Sequence, residues 1–337
     1  MPYANNDQTK IKSINLFNKL KEYLELMKTD ESLFFNKGET VYIPDCHGDF
    51  VHLIITLYRH GVLENSLNLN KNFRYVFLGD FYDRAPDADV IDFWLNNQIK
   101  KKIEIYRLIG NHEMAFFERD ANGYPVIFPS QDSIKDISND FQITENLLKN
   151  LASGNIIAAF VDGKTLYVHS YIINDDFIEL GLDPSTDILD FAIALNERLK
   201  THGQHAYDLF CEQKKVGVYD WKVIIKPFHD DFLFNIYKEK NDISSSFLWR
   251  RTSLPTLKIF PCELDVDIPN DVYQIVGHTP VFSFDLPKNQ PINKPFVVSS
   301  KTGTGKVQFS DVGIGYYYKS DFERTAVGIE KLNSIAS

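Results

Sequence analysis

The chain has 337 residues, of which 44% are hydrophobic and 24% charged, and its formal net charge at pH 7 is −10. An acidic chain without a basic run is not expected to bind nucleic acid, because such binding requires neutralisation of backbone phosphates. Three widely separated cysteines argue against a disulfide framework and for a reducing compartment. No apolar stretch approaches a membrane span, and the polar start of the chain lacks a signal-peptide core, so we expect a cytoplasmic protein.

The first part of the chain alternates helices with short apolar strands. Helical periodicity predicts an amphipathic helix over residues 11–28, and we interpret residues 1–36 as a helical extension that packs on the sheet, with partner binding as the alternative. Three apolar, β-branched runs then predict buried strands, and two of them lead into helices. The predicted strands are 41–43, 75–78 and 103–109, and the predicted helices are 50–60 and 87–97, the second with Pro86 at its start.

The rest of the chain is first mostly helical and then returns to strands. Helices are predicted over residues 133–151, with Ser133 as the N-cap, over 185–200, and more weakly over 204–214. We interpret residues 170–248 as an insertion or cap, because this stretch separates two parts of the site predicted below. The predicted strands are 156–160 and 165–169, joined by a turn at 162–163, and then 272–276, 296–299, 306–312 and 325–329.

Four short polar segments each follow one of the predicted strands. Because open α/β sheets bind ligands at the carboxyl ends of their strands, we expect the four segments to meet there. One such segment alone would be a weak match, but four in the same local context predict a functional site. The segments are Asp45-Cys46-His47-Gly48-Asp49, Gly79-Asp80-Phe81-Tyr82-Asp83-Arg84, Gly110-Asn111-His112-Glu113 and Gly277-His278-Thr279.

Six side chains in or near these segments offer oxygen and nitrogen donors without a thiolate. This donor set suits Mn²⁺, Fe or Zn²⁺ in an expanded shell, whereas a structural zinc site favours cysteines and four ligands. One carboxylate, for which we choose Asp80, can bridge two ions that activate a water and hold a phosphoryl group. His169 would usually be a core residue in its strand-like run, and we include it because the site otherwise lacks a donor. The candidates are Asp45, His47, Asp80, Asn111, His169 and His278.

The remaining chemical tasks also have candidate residues. His112 can protonate a leaving oxygen, and Asp83 is the carboxylate that would orient it. Arginine forks match phosphate oxygens, which makes Arg84, Arg250 and Arg251 candidates for phosphate binding.

Three features are interpreted structurally instead. Asp49 can cap the helix that follows it. Cys46 is expected to face the core, because His52 stands where a cysteine-nucleophile loop requires an arginine. The run 300–306 hints at a P-loop, but Val307 stands where a magnesium-binding Ser or Thr belongs, so we expect a turn between two strands.

The four segments resemble those of the calcineurin-like metallophosphoesterases, most closely the phosphoprotein phosphatase (PPP) branch, which carries D-x-H-G, G-D-x-x-D-R and G-N-H-E in this order. The resemblance implies an α/β fold, a two-sheet β-sandwich flanked by helices, which here would span residues 37–337 with a mostly helical insertion at 170–248. It implies that one metal ion is held by Asp45, His47 and Asp80. The second ion would be held by Asp80, Asn111, His169 and His278.

The same resemblance implies the roles of the catalytic residues. His112 would be the general acid paired with Asp83, and Arg84 and Arg251 would bind phosphate. Arg251 fits a bacterial W-x-R pattern that begins at Trp249, and Arg250 is the alternative.

Three departures from the family pattern bear on this interpretation. Ile109 stands where the family commonly has an arginine that contacts phosphate, and the nearest arginine is Arg107. The usual H-G-G is replaced by His169-Ser170-Tyr171, and the long interval from His169 to His278 supports an inserted cap. These features are closer to bacterial or pathogen-effector phosphatases, and an effector would be delivered into a host cell.

The expected function is therefore a Mn²⁺-dependent phosphoprotein phosphatase that hydrolyses phosphoserine, phosphothreonine or phosphotyrosine by attack of a hydroxide bridging two metal ions. Its partner would be a phosphoprotein or phosphopeptide. One alternative is a small-molecule phosphohydrolase, such as a dinucleoside polyphosphate hydrolase. A third reading is a binding module on a catalytically decayed scaffold, and the complete set of metal and acid residues argues against it. The oligomeric state is left open.

Overall fold

The computed structural model describes residues 6–26, 38–82, 84–85, 87–117, 141–235, 246–250, 263–264, 267–279, 295–300 and 303–311. In these ranges helices and strands alternate at first, and helices then predominate between β6 and β7. The helices are α1 (Asn6–Leu26), α2 (Phe50–Arg59), α3 (Ala88–Lys100), α4 (Asn111–Phe116), α5 (Phe141–Ser153), α6 (Asn174–Glu179), α7 (Ile188–Val216), α8 (Trp221–Ile224) and α9 (Lys226–His229). The strands are β1 (Thr40–Ile43), β2 (Arg74–Phe77), β3 (Glu104–Leu108), β4 (Ile156–Ile157), β5 (Ala159–Asp162), β6 (Thr165–Val168), β7 (Glu263–Leu264), β8 (Tyr273–Val276), β9 (Phe296–Ser300) and β10 (Lys306–Phe309).

The strands of the described ranges form two sheets. The first has the order β1-β2-β3-β4, and all of its strands are parallel. The second has the order β5-β6-β8-β10-β9-β7 and is mixed, with β6, β8 and β10 parallel to one another. The predicted α/β fold with two sheets flanked by helices is confirmed.

Apolar side chains from both sheets meet between them. Val76 and Leu108 of the first sheet share a buried cluster with Tyr167 and Ile275 of the second. Aromatic stacking extends this interface, since the rings of Tyr106 and Phe160 lie 3.9 Å apart. The carboxyl ends of β1–β3 and of β6 and β8 lie at one edge of this sandwich, where residues that follow strands of the two sheets are hydrogen-bonded to one another.

Helices α1, α2 and α3 pack together beside the first sheet. The predicted helix at 11–28 begins earlier, at Asn6, and it buries Leu20 and Leu24 completely. Its Phe17 ring lies 5.4 Å from the Phe50 ring of α2. Helix α2 begins as predicted, because the Asp49 carboxylate accepts the backbone N–H of His52 and so caps the helix.

The predicted strand over 156–160 is wrong, because the chain changes sheets within it. Residues 156–157 form β4 of the first sheet, and Ala159 begins β5 of the second. The side-chain oxygen of Asn196 in α7 accepts the N–H groups of Ala158 and Ala159 at 2.8 and 2.9 Å. Its amide also donates to the Ala159 carbonyl at 2.8 Å, so this side chain satisfies the backbone where the strand breaks.

The predicted break between helices 185–200 and 204–214 is also wrong, because both lie in the single helix α7. Gly203 lies inside this helix and faces α5, where an added Cβ would come within 2.7 Å of the Leu151 Cβ. Glycine therefore serves here to let two helices approach closely, and it does not end the helix.

The other predicted elements divide into those seen and those outside the described residues. The run 300–306 connects the antiparallel strands β9 and β10, as predicted. Ser133, Pro86 and the predicted strand 325–329 lie outside the described residues. The described part of 170–248 is mostly helical, and its role as an insertion stays a prediction. In the described ranges we find no helix that combines the length and the apolar character of a membrane span.

Candidate functional site

The predicted polar segments meet at one edge of the sandwich, and both sheets contribute to it. Asp45, Asp80 and Asn111 follow β1, β2 and β3 of the first sheet. His169 and His278 follow β6 and β8, which are parallel neighbours in the second sheet. All five side chains are buried, so the site is recessed below the surface.

The Asp80 carboxylate lies between two groups of histidines. Its Oδ2 is 3.8 Å from His47 Nε2 and 3.6 Å from His112 Nε2. Its Oδ1 is 3.4 Å from His169 Nε2, in a second group that includes His278. Within each group the candidate ligand atoms lie within 4.8 Å of one another. A carboxylate with one oxygen toward each group has the position that a bridging ligand requires.

The hydrogen bond on the far side of its ring favours His169 as a metal ligand. His169 Nδ1 lies 2.7 Å from the Leu78 carbonyl oxygen and donates its proton to it. The lone pair is then on Nε2, which lies 2.8 Å from Asn111 Oδ1. His278 Nδ1 lies at the same distance, 2.8 Å, from this oxygen. A backbone bond that fixes the tautomer of a histidine and leaves the other nitrogen facing oxygen donors is typical of metal ligands.

The carboxylates of the site need a positive charge. Asp45 is fully buried, and burial raises the pKa of its carboxyl well above its usual range. The neighbouring charges of Asp311 and Asp80 raise this pKa further, although His278 N–H donates to both Asp45 oxygens, at 3.1 and 2.9 Å. Burying like charges together is costly unless a cation accompanies them. The oxygen and nitrogen donors present therefore fit divalent metal ions.

Two acidic residues contact the candidate site although the sequence analysis assigned neither metal binding nor catalysis to them. Asp311 follows β10 and is fully buried, and its negative charge raises the pKa of the Asp45 carboxyl. It repeats the pattern of a strand followed by a carboxylate, but without the glycine that marks the other segments. Glu113 accepts the N–H groups of Asp80 and Phe81 at 2.8 and 2.7 Å, which fastens the Asp80 segment to the segment that contains Asn111.

The backbone of the site is strained. Four of its residues with side chains have φ between 44° and 62°, the left-handed region that favours glycine. Such conformations cost on the order of 1–3 kcal/mol each and persist where surrounding bonds enforce them. The residues are His47, Asp80, Arg84 and His278.

His112 lies beside the Asp80 carboxylate and the His47 ring. Its backbone N–H donates to Asp80 Oδ1 at 2.9 Å, and its ring centroid is 4.7 Å from that of His47. Asp83, its predicted orienting partner, lies outside the described residues. The pairing of His112 with Asp83 therefore stays a prediction.

The predicted phosphate-binding arginines differ in their surroundings. Arg84 is half-buried, and its charge lowers the pKa of Asp45, against the larger effect of burial. Arg251 lies outside the described residues. Arg250, the alternative to Arg251, is buried and forms two bonds to Asp176, at 2.6 and 2.9 Å. Its guanidinium is thus bound to Asp176, which disfavours Arg250 as the phosphate ligand.

Arg107 does not replace the arginine that the family pattern has at position 109. Its side chain is buried, and Nη2 donates to Asp92 Oδ1 at 2.7 Å. Its guanidinium also lies 4.8 Å from the centroid of the Phe81 ring. Cys46 is fully buried, as predicted for a core residue.

Comparison with known proteins gives one family match and several distant structural likenesses. The model of the calcineurin-like phosphoesterase family matches residues 39–282. The chain is similar to the cold-active protein tyrosine phosphatase of a psychrophilic Shewanella species, at 15% identity and a TM-score of 0.45, over 87% of this chain and 79% of that one. It is also similar to a Saccharomyces cerevisiae protein serine/threonine phosphatase with similarity to human phosphatase PP5, at 16% identity and a TM-score of 0.32, over 54% of this chain and 52% of that one.

A third likeness is to the phosphatase domain of the Legionella effector WipB, at 15% identity and a TM-score of 0.31, over 63% of this chain and 74% of that one. The comparison with curated proteins found no match. The family match covers more than half of the chain and includes all four polar segments. The chain belongs to the calcineurin-like phosphoesterases, hydrolases that act on phosphate esters with the help of divalent metal ions.

Proposed function

We propose that this chain is a phosphoprotein phosphatase of the PPP branch that uses two divalent metal ions, with Mn²⁺ as the first choice and Fe or Zn²⁺ as alternatives. The observation that carries the proposal is the position of Asp80, whose two oxygens face separate groups of nitrogen donors at 3.4–3.8 Å. Asp45 and His47 would complete the first metal position. The second position would be completed by Asn111, His169 and His278.

The chain's own residues suit the hydrolysis of a phosphomonoester. Bound divalent ions would supply Lewis-acid polarisation of the phosphoryl oxygens and lower the pKa of a water molecule. His112 would hold the proton that the leaving oxygen needs, at the edge of the first metal position. Asn111 Nδ2 is buried and has no hydrogen-bond partner within the described ranges, so it can donate to a phosphoryl oxygen. Arg84 would bind a further phosphoryl oxygen through its guanidinium.

The supply of positive charge favours a single phosphate group over a polyphosphate. Arg107 and Arg250 are both bound to buried carboxylates, of Asp92 and Asp176. Within the described ranges, neither of these two arginines is therefore placed to bind a substrate phosphate, and the net charge of the whole chain is −10. A dinucleoside polyphosphate carries several charges and would need more cationic side chains. This supports a phosphorylated serine, threonine or tyrosine side chain as the substrate.

The proposal is tested by hydrolysis of p-nitrophenyl phosphate after removal of metal with EDTA. Activity should return on addition of Mn²⁺, and His112→Asn should lower kcat by at least about 100-fold, the range for loss of a general acid, while the metal content stays at two ions per chain. The matched control is His205→Asn, since His205 is exposed on α7 and distant in sequence from every polar segment. Full activity in EDTA would overturn the metal requirement.

The substrate class is tested next with the same preparation. Phosphate release from phosphoserine, phosphothreonine and phosphotyrosine peptides is compared with nucleotide release from a dinucleoside polyphosphate. Faster release from one of the peptides is the expected result. Faster cleavage of the dinucleoside polyphosphate would establish the small-molecule alternative and overturn the protein substrate.

A further inference from the structure

A buried network of three side chains lies behind the loop that joins β2 to α3. The Tyr82 hydroxyl, in this loop, donates to Asp92 Oδ1 of α3 at 3.0 Å. Arg107 Nη2 of β3 donates to the same oxygen at 2.7 Å and lies 3.5 Å from the Tyr82 hydroxyl. Tyr82, Asp92 and Arg107 are 0%, 5% and 1% exposed, so water does not compete for these bonds. The network therefore ties the loop to both a helix and a strand.

The loop carries two site residues whose backbones need restraint. Asp80 and Arg84 have φ of 53° and 52°, in the left-handed region. The beginning of the loop is held by backbone bonds, because the N–H groups of His47 and Gly48 donate to the carbonyls of Asp80 and Phe81, both at 2.8 Å. Tyr82 comes next and is held through its side chain, two residues before Arg84, and the Ala85 N–H after Arg84 donates to the His47 carbonyl at 2.9 Å. Its anchor therefore lies on the part of the loop that leads to the proposed phosphate-binding arginine.

A pairing of Arg107 with Asp92 alone would connect α3 to β3 without a contact to the side chains of the loop. Instead the Arg107 guanidinium also lies 4.8 Å from the centroid of the Phe81 ring, so it contacts two successive loop residues. A guanidinium over an aromatic face is attractive, and the attraction is greater when water is excluded. The contacts of Arg107 are thus directed at the loop as well as at the helix.

We propose that Tyr82, Asp92 and Arg107 form a positioning network that holds Arg84 where it binds the phosphate group of the substrate. Arg107 then supports phosphate recognition from behind the loop, whereas the family pattern has an arginine at position 109 that contacts the anion. This inference rests on the proposed function, because it takes Arg84 as a phosphate ligand.

Tyr82→Phe is the variant that tests the network. It removes one hydroxyl and leaves the Asp92–Arg107 ion pair in place, so the protein is expected to fold. Displacement of a binding group by about 1 Å can cost up to 100-fold in rate, and we expect kcat/KM to fall by about tenfold. The dissociation constant of inorganic phosphate, measured by calorimetry on the Mn²⁺-loaded protein, should rise by about the same factor. The metal content should stay unchanged, because Asp80 is held by Glu113.

The matched control is Tyr75→Phe. Tyr75 is also fully buried, and its hydroxyl lies 2.9 and 2.8 Å from the carbonyl oxygens of Val62 and Asn70, to which its one proton can be donated, away from the β2–α3 loop. Both variants lose one buried hydroxyl, so their melting temperatures should fall by similar amounts. Phosphate binding and kcat/KM of Tyr75→Phe should remain within twofold of wild type.

A double-mutant cycle with Arg84→Ala shows whether the network acts through Arg84. If it does, Tyr82→Phe should change phosphate binding by less than twofold in the Arg84→Ala background. Equal effects of Tyr82→Phe with and without Arg84, or wild-type phosphate binding in Tyr82→Phe, would overturn the inference and leave the proposed function intact. A wild-type protein that neither hydrolyses phosphate esters nor binds phosphate would overturn the proposed function itself.

Discussion

Replacing Asp176 by asparagine should destabilise the protein strongly, because the buried Arg250 would lose the carboxylate that binds its guanidinium. Both side chains are 1% exposed, and the two bonds between them measure 2.6 and 2.9 Å. Arg250 Nη1 also donates to the Tyr171 carbonyl at 2.9 Å. A neutral carbonyl does not balance the charge of the guanidinium. After the substitution, the free-energy cost of burying this charge would no longer be offset by the carboxylate.

The magnitude follows from the burial of the pair. Removing one partner of a buried ion pair costs about 3–5 kcal/mol. Asparagine keeps one oxygen that can accept from Arg250, so we expect the lower end, a loss of about 3 kcal/mol in the free energy of unfolding. The contrasting pair is Lys226 with Asp230, which lies at 2.8 Å but has side chains that are 66% and 65% exposed. Asp230→Asn should therefore leave the free energy of unfolding close to that of the wild type, because solvent screens an exposed pair.

The assay is urea unfolding followed by tryptophan fluorescence, with linear extrapolation to water. The double variant Asp176→Leu with Arg250→Met removes both charges, and it should recover most of the stability lost by Asp176→Asn. A loss below about 1 kcal/mol in Asp176→Asn, or a double variant less stable than the single one, would refute the reasoning about the buried pair.

Two further predictions concern α7. Asn196→Ala should lower the free energy of unfolding by about 1–3 kcal/mol, because two backbone N–H groups after β4 lose their acceptor. Chemical unfolding measures this loss, and a value under about 0.5 kcal/mol would contradict the prediction. Burial raises the pKa of Asp231, but hydrogen bonds from His202 and Arg198 outweigh burial and leave that pKa below its usual value. When the pKa of a carboxyl is lower in the folded than in the unfolded protein, its ionised form stabilises the fold at pH values above the unfolded pKa. This contribution is lost as the pH falls through the folded pKa, so Asp231→Asn should destabilise the protein at pH 7 and progressively less below about pH 4. An equal cost at pH 7 and pH 3 would contradict this sign.

The positions of the candidate metal donors could be predicted because most of them follow directly from a local pattern. A buried strand, a turn and then a carboxylate, amide or imidazole places the donor at the strand end, and this holds for Asp45, Asp80, Asn111 and His278. His169 was chosen as a metal ligand because the predicted site otherwise lacked a donor. The structure supports it through a contact that sequence does not carry, the bond from Nδ1 to the Leu78 carbonyl.

What could not be predicted depends on partners distant in the chain. The backbone N–H at the break in the predicted strand 156–160 donates to the side chain of Asn196, which lies in helix α7. Two arginines that the sequence analysis considered near the predicted phosphate site, Arg107 and Arg250, have carboxylate partners in α3 and α6. No local periodicity indicates whether an arginine faces a substrate or a buried aspartate, and only the packing of distant elements decides it.

The glycines and the strained residues of the site show why this edge of the sandwich is built as it is. A Cβ on Gly110 would lie 2.2 Å from Asp80 Oδ1, so a glycine is required where Asp80 approaches the next segment. Asp80 itself has φ of 53°, which also favours glycine, yet its carboxylate is needed between the two donor groups. The local backbone preference and the chemistry conflict at this residue. The conflict is resolved by Glu113, which accepts the Asp80 N–H at 2.8 Å, and by backbone bonds that the Asp80 carbonyl accepts from the first segment. Glu113 is thus needed to keep a functional side chain where the backbone alone would select glycine.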